Sequence, residues 1–147
     1  MFRYGRYPLP NDDEEFNRES MKHVMFKELM DGKLFLAPIG ENPQKIIDLG
    51  TGFGDWAIEG MSPELLALPA VLDSHDVDAV GEKLPSARVI GVDLSPIQPQ
   101  WVPPNVEFQV EDIEEDWRQE SDFDYVHLRV VLTILRNQRK VLSTALT

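Results

Sequence analysis

The chain has 147 residues, 42% hydrophobic and 27% charged, enough for about one domain with a core of its own. A formal net charge of -12 excludes the basic footprint that phosphate-backbone binding needs, so no direct nucleic-acid contact is expected. Cysteine is absent, which removes disulfide scaffolds, thiolate zinc sites and thiol nucleophiles; the sequence has no secretory h-region or long apolar run, so an intracellular protein of cytoplasm or nucleus, not bound to a membrane, is expected.

Residues 1–15 are polar. Pro10 and Asn11 interrupt any preceding order, and Asn11 or Asp12 can cap a helix predicted over about 13–30. Phe16, Met21, Val24, Met25 and Leu29 recur near helical spacing, and Asp31-Gly32 is a stop signal. Residues 1–40 thus read as an N-terminal helical extension. Over residues 41–147, strands are predicted at 45–49, 88–93, 106–110 and 124–128, alternating with helical or loop stretches. That alternation implies an α/β fold, a parallel sheet with helices on its faces and a ligand site at the carboxyl ends of the strands. The tail, 130–147, reads as a short basic amphipathic helix.

The densest signal follows the first strand: Asp48-Leu49-Gly50-Thr51-Gly52-Phe53-Gly54, opening a helix at 55–59. Glycine is needed where the backbone takes φ > 0 or approaches a ligand closely. The spacing is G-x-G-x-G rather than the dinucleotide G-x-G-x-x-G, and the last position of that pattern is Asp55, an acid that would repel a pyrophosphate at a helix N-terminus. An acid ahead of the glycines suits a ligand with a positive end, such as S-adenosylmethionine with its ammonium and sulfonium. Asp93 ends the second strand, where an acid accepts ribose hydroxyls, but it lies 39 residues beyond Gly54, against about 20 in such folds. Removing residues 60–80 brings the spacing to 18. That segment reads either as a retained in-frame intron, Gly60-Met61-Ser62 being encodable by a splice-donor-like GGTATGTCN, or as a natural surface insertion with its own helix at 63–72.

After the third strand, Glu111 to Asp116 form an acidic run in which Asp112 either accepts an adenine amine, with Ile113 packing on the ring, or is simply solvated. Trp117 reads as a packing residue. His127 and Arg129 close the fourth strand and are candidates to face a substrate; for His127 the alternative is a strand residue packed under a helix. Three scattered histidines and acids without EF-hand spacing predict no metal site, and no P-loop is present.

Several strings together resemble class I S-adenosylmethionine-dependent methyltransferases, in particular the fungal LaeA-like or UMTA-type subgroup. They are Tyr7-Pro8-Leu9-Pro10-Asn11-Asp12, Asp31-Gly32-Lys33-Leu34, Ile47 to Gly52, Trp56-Ala57-Ile58-Glu59, Val89 to Pro99, Trp101 to Val106, and Phe123 to Arg129. The resemblance covers about 7–129 apart from 60–80. It implies a Rossmann-like sheet and S-adenosylmethionine as cofactor. By the same resemblance Asp48, Gly50, Thr51, Gly52 and Gly54 cradle the methionine end, Asp93 holds the ribose, Leu94 lies beside the adenine, and Asp112 and Ile113 contact it. The acceptor would be a small molecule or a protein, with secondary metabolism as the setting. Family members usually carry another residue, often apolar, in place of Asp55; here the acid is expected either to crowd the cofactor or to point to solvent. The family continues beyond a fourth strand, whereas this chain stops soon after it. Residues 41–147 therefore read as a partial methyltransferase domain with an unpaired sheet edge that invites a protein partner, and the alternative function is that of a catalytically impaired regulatory partner.

Overall fold

The structure, a computed structural model, describes residues 12–58, 84, 86–117 and 121–146. Most of the Tyr7–Asp12 string, the 60–80 segment and the helix expected at 63–72 lie outside the described residues. Helix α1 spans Asp13–Leu29, and the strands are β1 Lys45–Leu49, β2 Arg88–Asp93, β3 Val106–Val110 and β4 Tyr125–Leu128. A 3-10 helix at Val131–Ile134 precedes helix α2, Gln138–Ala145. The strands form one four-stranded sheet in the order β3-β2-β1-β4, parallel throughout. The expected Rossmann-like parallel sheet is thus present.

Strand pleating sends alternate side chains to opposite faces. Ile46 and Val89 join Trp56, Ala87 and Val106 in a core on one face. Ile47, Leu49, Ile90 and Val92 join Ile113 and Val141 on the other. Continuous apolar runs in β1 and β2 reflect burial on both faces, as parallel strands require. Each fully buried aliphatic side chain contributes about 1.5–3 kcal/mol. Asp124 ties the sheet's entry together: its carboxylate accepts from the Gln44 and Lys45 N–H groups at 2.7 and 3.0 Å, and these bonds hold its carboxyl below the usual carboxylate range.

Helix α1 starts at Asp12, whose Oδ1 accepts from Glu15 N–H at 2.9 Å, and ends as the sequence predicts. Gly32, at φ +75, donates to Lys27 O in a Schellman-type closure. Its orientation differs from the expected amphipathic one. The buried positions are Glu15, Ser20 and His23, while Met21 (69% exposed), Met25 (48%) and Leu29 (73%) face outward. The helix docks through a mixed face, on which Ser20 and His23 are the most buried positions and Phe16 and Val24 are half-buried.

Two further expectations change. Residues 55–57 form a turn, closed by one helical bond from Ile58 N–H to Gly54 O, and Glu59 lies outside the described residues. The tail is not one helix: Asn137 caps α2 through its side chain, and Val130 before the 3-10 turn has φ +69, rare for a β-branched residue.

Candidate functional site

The glycine loop is zipped onto β2. Gly50 and Thr51 donate to Val92 O at 2.8 and 3.0 Å, and Gly52 donates to Asp93 Oδ2 at 2.9 Å. Gly50, Gly52 and Gly54 all have positive φ, but they are glycine for different reasons. A Cβ on Gly50 would stand 2.6 Å from Val131 Cγ2, and one on Gly54 would stand 2.5 Å from the Phe108 ring. These two glycines make room for side chains. Around Gly52 none of the described residues lies within 4 Å of a Cβ.

Asp48, near the carboxyl end of β1, is 3% exposed and accepts two bonds. Thr51 Oγ1 donates to Oδ2 at 2.7 Å, and His127 Nδ1 lies 2.7 Å from Oδ1. The pairing follows from register, since Asp48 sits opposite His127 in the β1–β4 ladder. Trp56 stacks on the His127 ring at 3.7 Å and 4°, and its own Nε1 donates to Leu34 O.

Asp93 bridges two loops. Its Oδ2 takes the Gly52 N–H and its Oδ1 the Ser95 N–H at 3.0 Å. Burial nevertheless pushes its carboxyl up, against those N–H donors and with the Asp48 charge adding to the rise. Gln98 latches the same loops, with Nε2 donating to Gly52 O and Ser95 O. Next to Asp93 a shallow cleft is lined by Gly50, Asp93, Leu94, Glu111, Asp112, Ile113 and Glu114 together with Val131, Ile134, Leu135 and Arg136. Leu94 is 38% exposed there, whereas Ile113 is also part of the core. Asp112 Oδ1 accepts from Glu114 N–H at 3.0 Å, turning the acidic run. Glu114 in turn accepts the Arg136 and Asn137 N–H groups at 2.7 Å each, fastening the tail over the cleft.

Helix α1 covers the other side of the loop. Ser20 Oγ donates to Asp55 at 3.0 Å, and Phe16 meets Phe53 edge-on at 4.9 Å. Asp55 therefore neither crowds the cleft nor points to solvent; it receives the helix, and burial pushes its carboxyl up. Arg129 lies over Phe26 and places Nη2 2.6 Å from His23 Nδ1. A guanidinium only donates, so His23 Nδ1 accepts and its proton sits on Nε2, which is buried with no partner among the described residues. Burial, then the Arg129 charge, hold the His23 pKa down to about 3.

Five of the nine cofactor candidates therefore line one cleft: Gly50, Asp93, Leu94, Asp112 and Ile113. Asp48 and Thr51 are joined to His127 instead, Gly54 packs on Phe108, and Gly52 has no described residue within 4 Å of its Cβ position. Of the substrate candidates, His127 joins Asp48 and Arg129 joins His23. Trp117 packs on the core, as expected, with Nε1 donating to Ile113 O. The lining residues Val131 to Arg136 and the latch Gln98 escaped the sequence reading. Gln98 had a signal, its place in the Asp-Leu-Ser-Pro-Ile-Gln-Pro string; the tail residues had none, because their apolar spacing reads as an ordinary helix.

Comparison with known proteins agrees with this geometry. A family profile described as "Methyltransferase domain" matches residues 21–147. The chain is 37% identical over 129 residues to "Methyltransferase pytC" of Aspergillus terreus, covering 87% of this chain and 34% of that protein. It is 36% identical over 130 residues to "Secondary metabolism regulator LAE1" of Gibberella fujikuroi, covering 87% and 35%. It is 36% identical over 132 residues to "Secondary metabolism regulator laeA" of Aspergillus niger, covering 88% and 30%. The chain thus spans about a third of the length of the curated relatives it matches. No solved structure matches. With a parallel sheet, a glycine loop after β1 and a profile match over most of its length, the chain belongs to the methyltransferase-domain family, with fungal LaeA-like methyltransferases as its relatives.

Proposed function

We propose that this chain binds S-adenosylmethionine at the carboxyl end of the sheet and takes part in methyl transfer to a small-molecule or protein acceptor in fungal secondary metabolism. The observation that carries this is the convergence of Asp93, Leu94, Asp112 and Ile113 with Gly50 on one cleft, although they come from three separate loops. The residues present fit the cofactor. Asp93 keeps lone pairs for ribose hydroxyls, Leu94, Ile113 and Ile134 offer an apolar slot for adenine, and Gly52, with no described residue within 4 Å of its Cβ position, leaves room for the methionine end. When bound, S-adenosylmethionine supplies a methyl group already activated on sulfonium, so the chain's work is to bind, align and exclude water.

Calorimetry with S-adenosylhomocysteine tests this. Micromolar binding is expected, with Asp93→Ala abolishing it. Leu94→Asp, at an exposed position that leaves the loop's bonds intact, is expected to weaken it about tenfold or more. A folded chain that gives no binding heat favours a second reading, a regulatory partner without catalysis. Supporting that alternative is the outer edge of β4, which pairs with no described strand and offers main-chain groups to a protein.

A further inference from the structure

We propose that Gln98 is a positioning residue for the cofactor: it locks the glycine loop against the loop after β2 and so sets how the Asp93 carboxylate meets a ribose. The inference rests on the methyltransferase reading and adds to it a residue that acts through Asp93. Gln98 is not among the described residues that line the cleft.

A glutamine side-chain amide has two N–H donors. Both are spent on main-chain carbonyls, for Nε2 lies 2.6 Å from Gly52 O and 2.9 Å from Ser95 O. The opposite amide orientation would set Oε1 against two carbonyl oxygens, so the network fixes which atom is which. Asp93 holds the same two residues by their other ends. Its Oδ2 accepts the Gly52 N–H at 2.9 Å and its Oδ1 the Ser95 N–H at 3.0 Å. Gly52 and Ser95 are thus each gripped at N–H and at C=O, by the acid on one side and the amide on the other. A glutamine that served only its own turn would need Ser95 O, three residues back; the shorter bond instead reaches Gly52, 46 residues away in the chain. Gly52 has φ +60, and pinning the peptide on either side of it fixes that left-handed turn. Pro96 and Pro99 have fixed φ, which stiffens the loop that carries the amide.

The Gly52 and Ser95 N–H groups decide how the carboxylate is turned, and with it the direction in which its remaining lone pairs meet hydroxyls. The same N–H groups, with that of Leu94, oppose the burial and the charge of Asp48, on β1, that push the Asp93 carboxyl up. Glu111, after β3, lines the cleft beside it. Loosening the clamp therefore turns the carboxylate out of line and favours its protonated form. Both changes weaken a ribose contact that needs an ionised acceptor.

Gln98→Met keeps the length of the side chain and removes both donors. Calorimetry on the full chain should show S-adenosylhomocysteine bound about tenfold or more weakly. Carbon NMR of the free chain should show the Asp93 carboxyl titrating at higher pH in Gln98→Met than in the native chain. In the native chain, the Gln98 side-chain amide protons should exchange more slowly once S-adenosylhomocysteine is bound, because coupling is reciprocal. An unchanged affinity, an unmoved Asp93 titration, or amide exchange indifferent to the ligand each overturns the proposal. The exchange measurement needs no substitution and decides the matter if Gln98→Met does not fold. A native chain that binds no S-adenosylhomocysteine sinks the methyltransferase reading instead, while the ligand-free titration still judges the clamp.

Discussion

At the scale of single residues, the glycine loop separates two demands that look alike in a sequence. All three take positive φ, but only Gly50 and Gly54 are also crowded by a described side chain. Gly52→Ala should cost about 1–2 kcal/mol, the strain of a left-handed alanine. Gly50→Ala should cost that and a further 1–3 kcal/mol or so from collision with Val131; urea unfolding of the two variants measures the difference. Asp55 supplies a pH test. Burial raises its folded pKa above 3.8, so its contribution to stability is full below that value and lost as pH rises through the folded pKa. Asp55→Asn, which retains an acceptor for Ser20, should therefore be more stable than the native chain near pH 7, with the gap closing near pH 4. The sequence made Asp55 conspicuous by breaking a glycine pattern. It did not reveal Ser20 as partner, because the two are brought together only when α1 docks.

At the scale of elements, the strands were readable because β-branched runs bounded by Gly, Pro and Asp leave little choice. The orientation of α1 was not. Its methionines carry the helical period, yet Ser20 and His23 make the contact, because the surface they meet contains Asp55 and Arg129. Met21→Gln and Met25→Gln should each change stability by no more than about 0.5 kcal/mol, whereas Ser20→Ala should cost about 1–2 kcal/mol by leaving a buried carboxyl without its donor; thermal melts distinguish them. His23 makes the docking acid-sensitive. Its folded pKa, about 3, lies below the ordinary 6.5. The stability it contributes is present above 6.5 and lost as pH falls toward 3, on the order of a few kcal/mol. The protection of α1 amides relative to their intrinsic exchange rates should fall across that window, and His23→Gln should flatten the response.

At the scale of the whole molecule, the sheet order brings loops from three strands to one end, and the tail closes on them. Nothing in residues 130–147 announced this; the Glu114 contacts to Arg136 and Asn137 arise from the return of the chain past the acidic run. Val141 anchors that return, fully buried against Ile47 and Leu49 on the inner face of α2. Val141→Ala should cost about 1–3 kcal/mol and loosen S-adenosylhomocysteine binding with it, since the cleft wall and the core are one packing unit.

Phe108 carries a consequence of another kind. Its ring fills the space of two absent side chains, Gly54 in the loop and Gly91 in β2, with ideal Cβ atoms at 2.5 Å in each case. The three positions therefore share one volume, and the order in which they change over generations matters. Gly91→Ala in the present background collides with the ring, but after Phe108→Leu much of the same methyl's space is free. A side chain at Gly91 thus becomes tolerable after the ring is trimmed and Thr51 Oγ1, 2.9 Å from the same Cβ, gives way, so the history at these sites is a path with a direction.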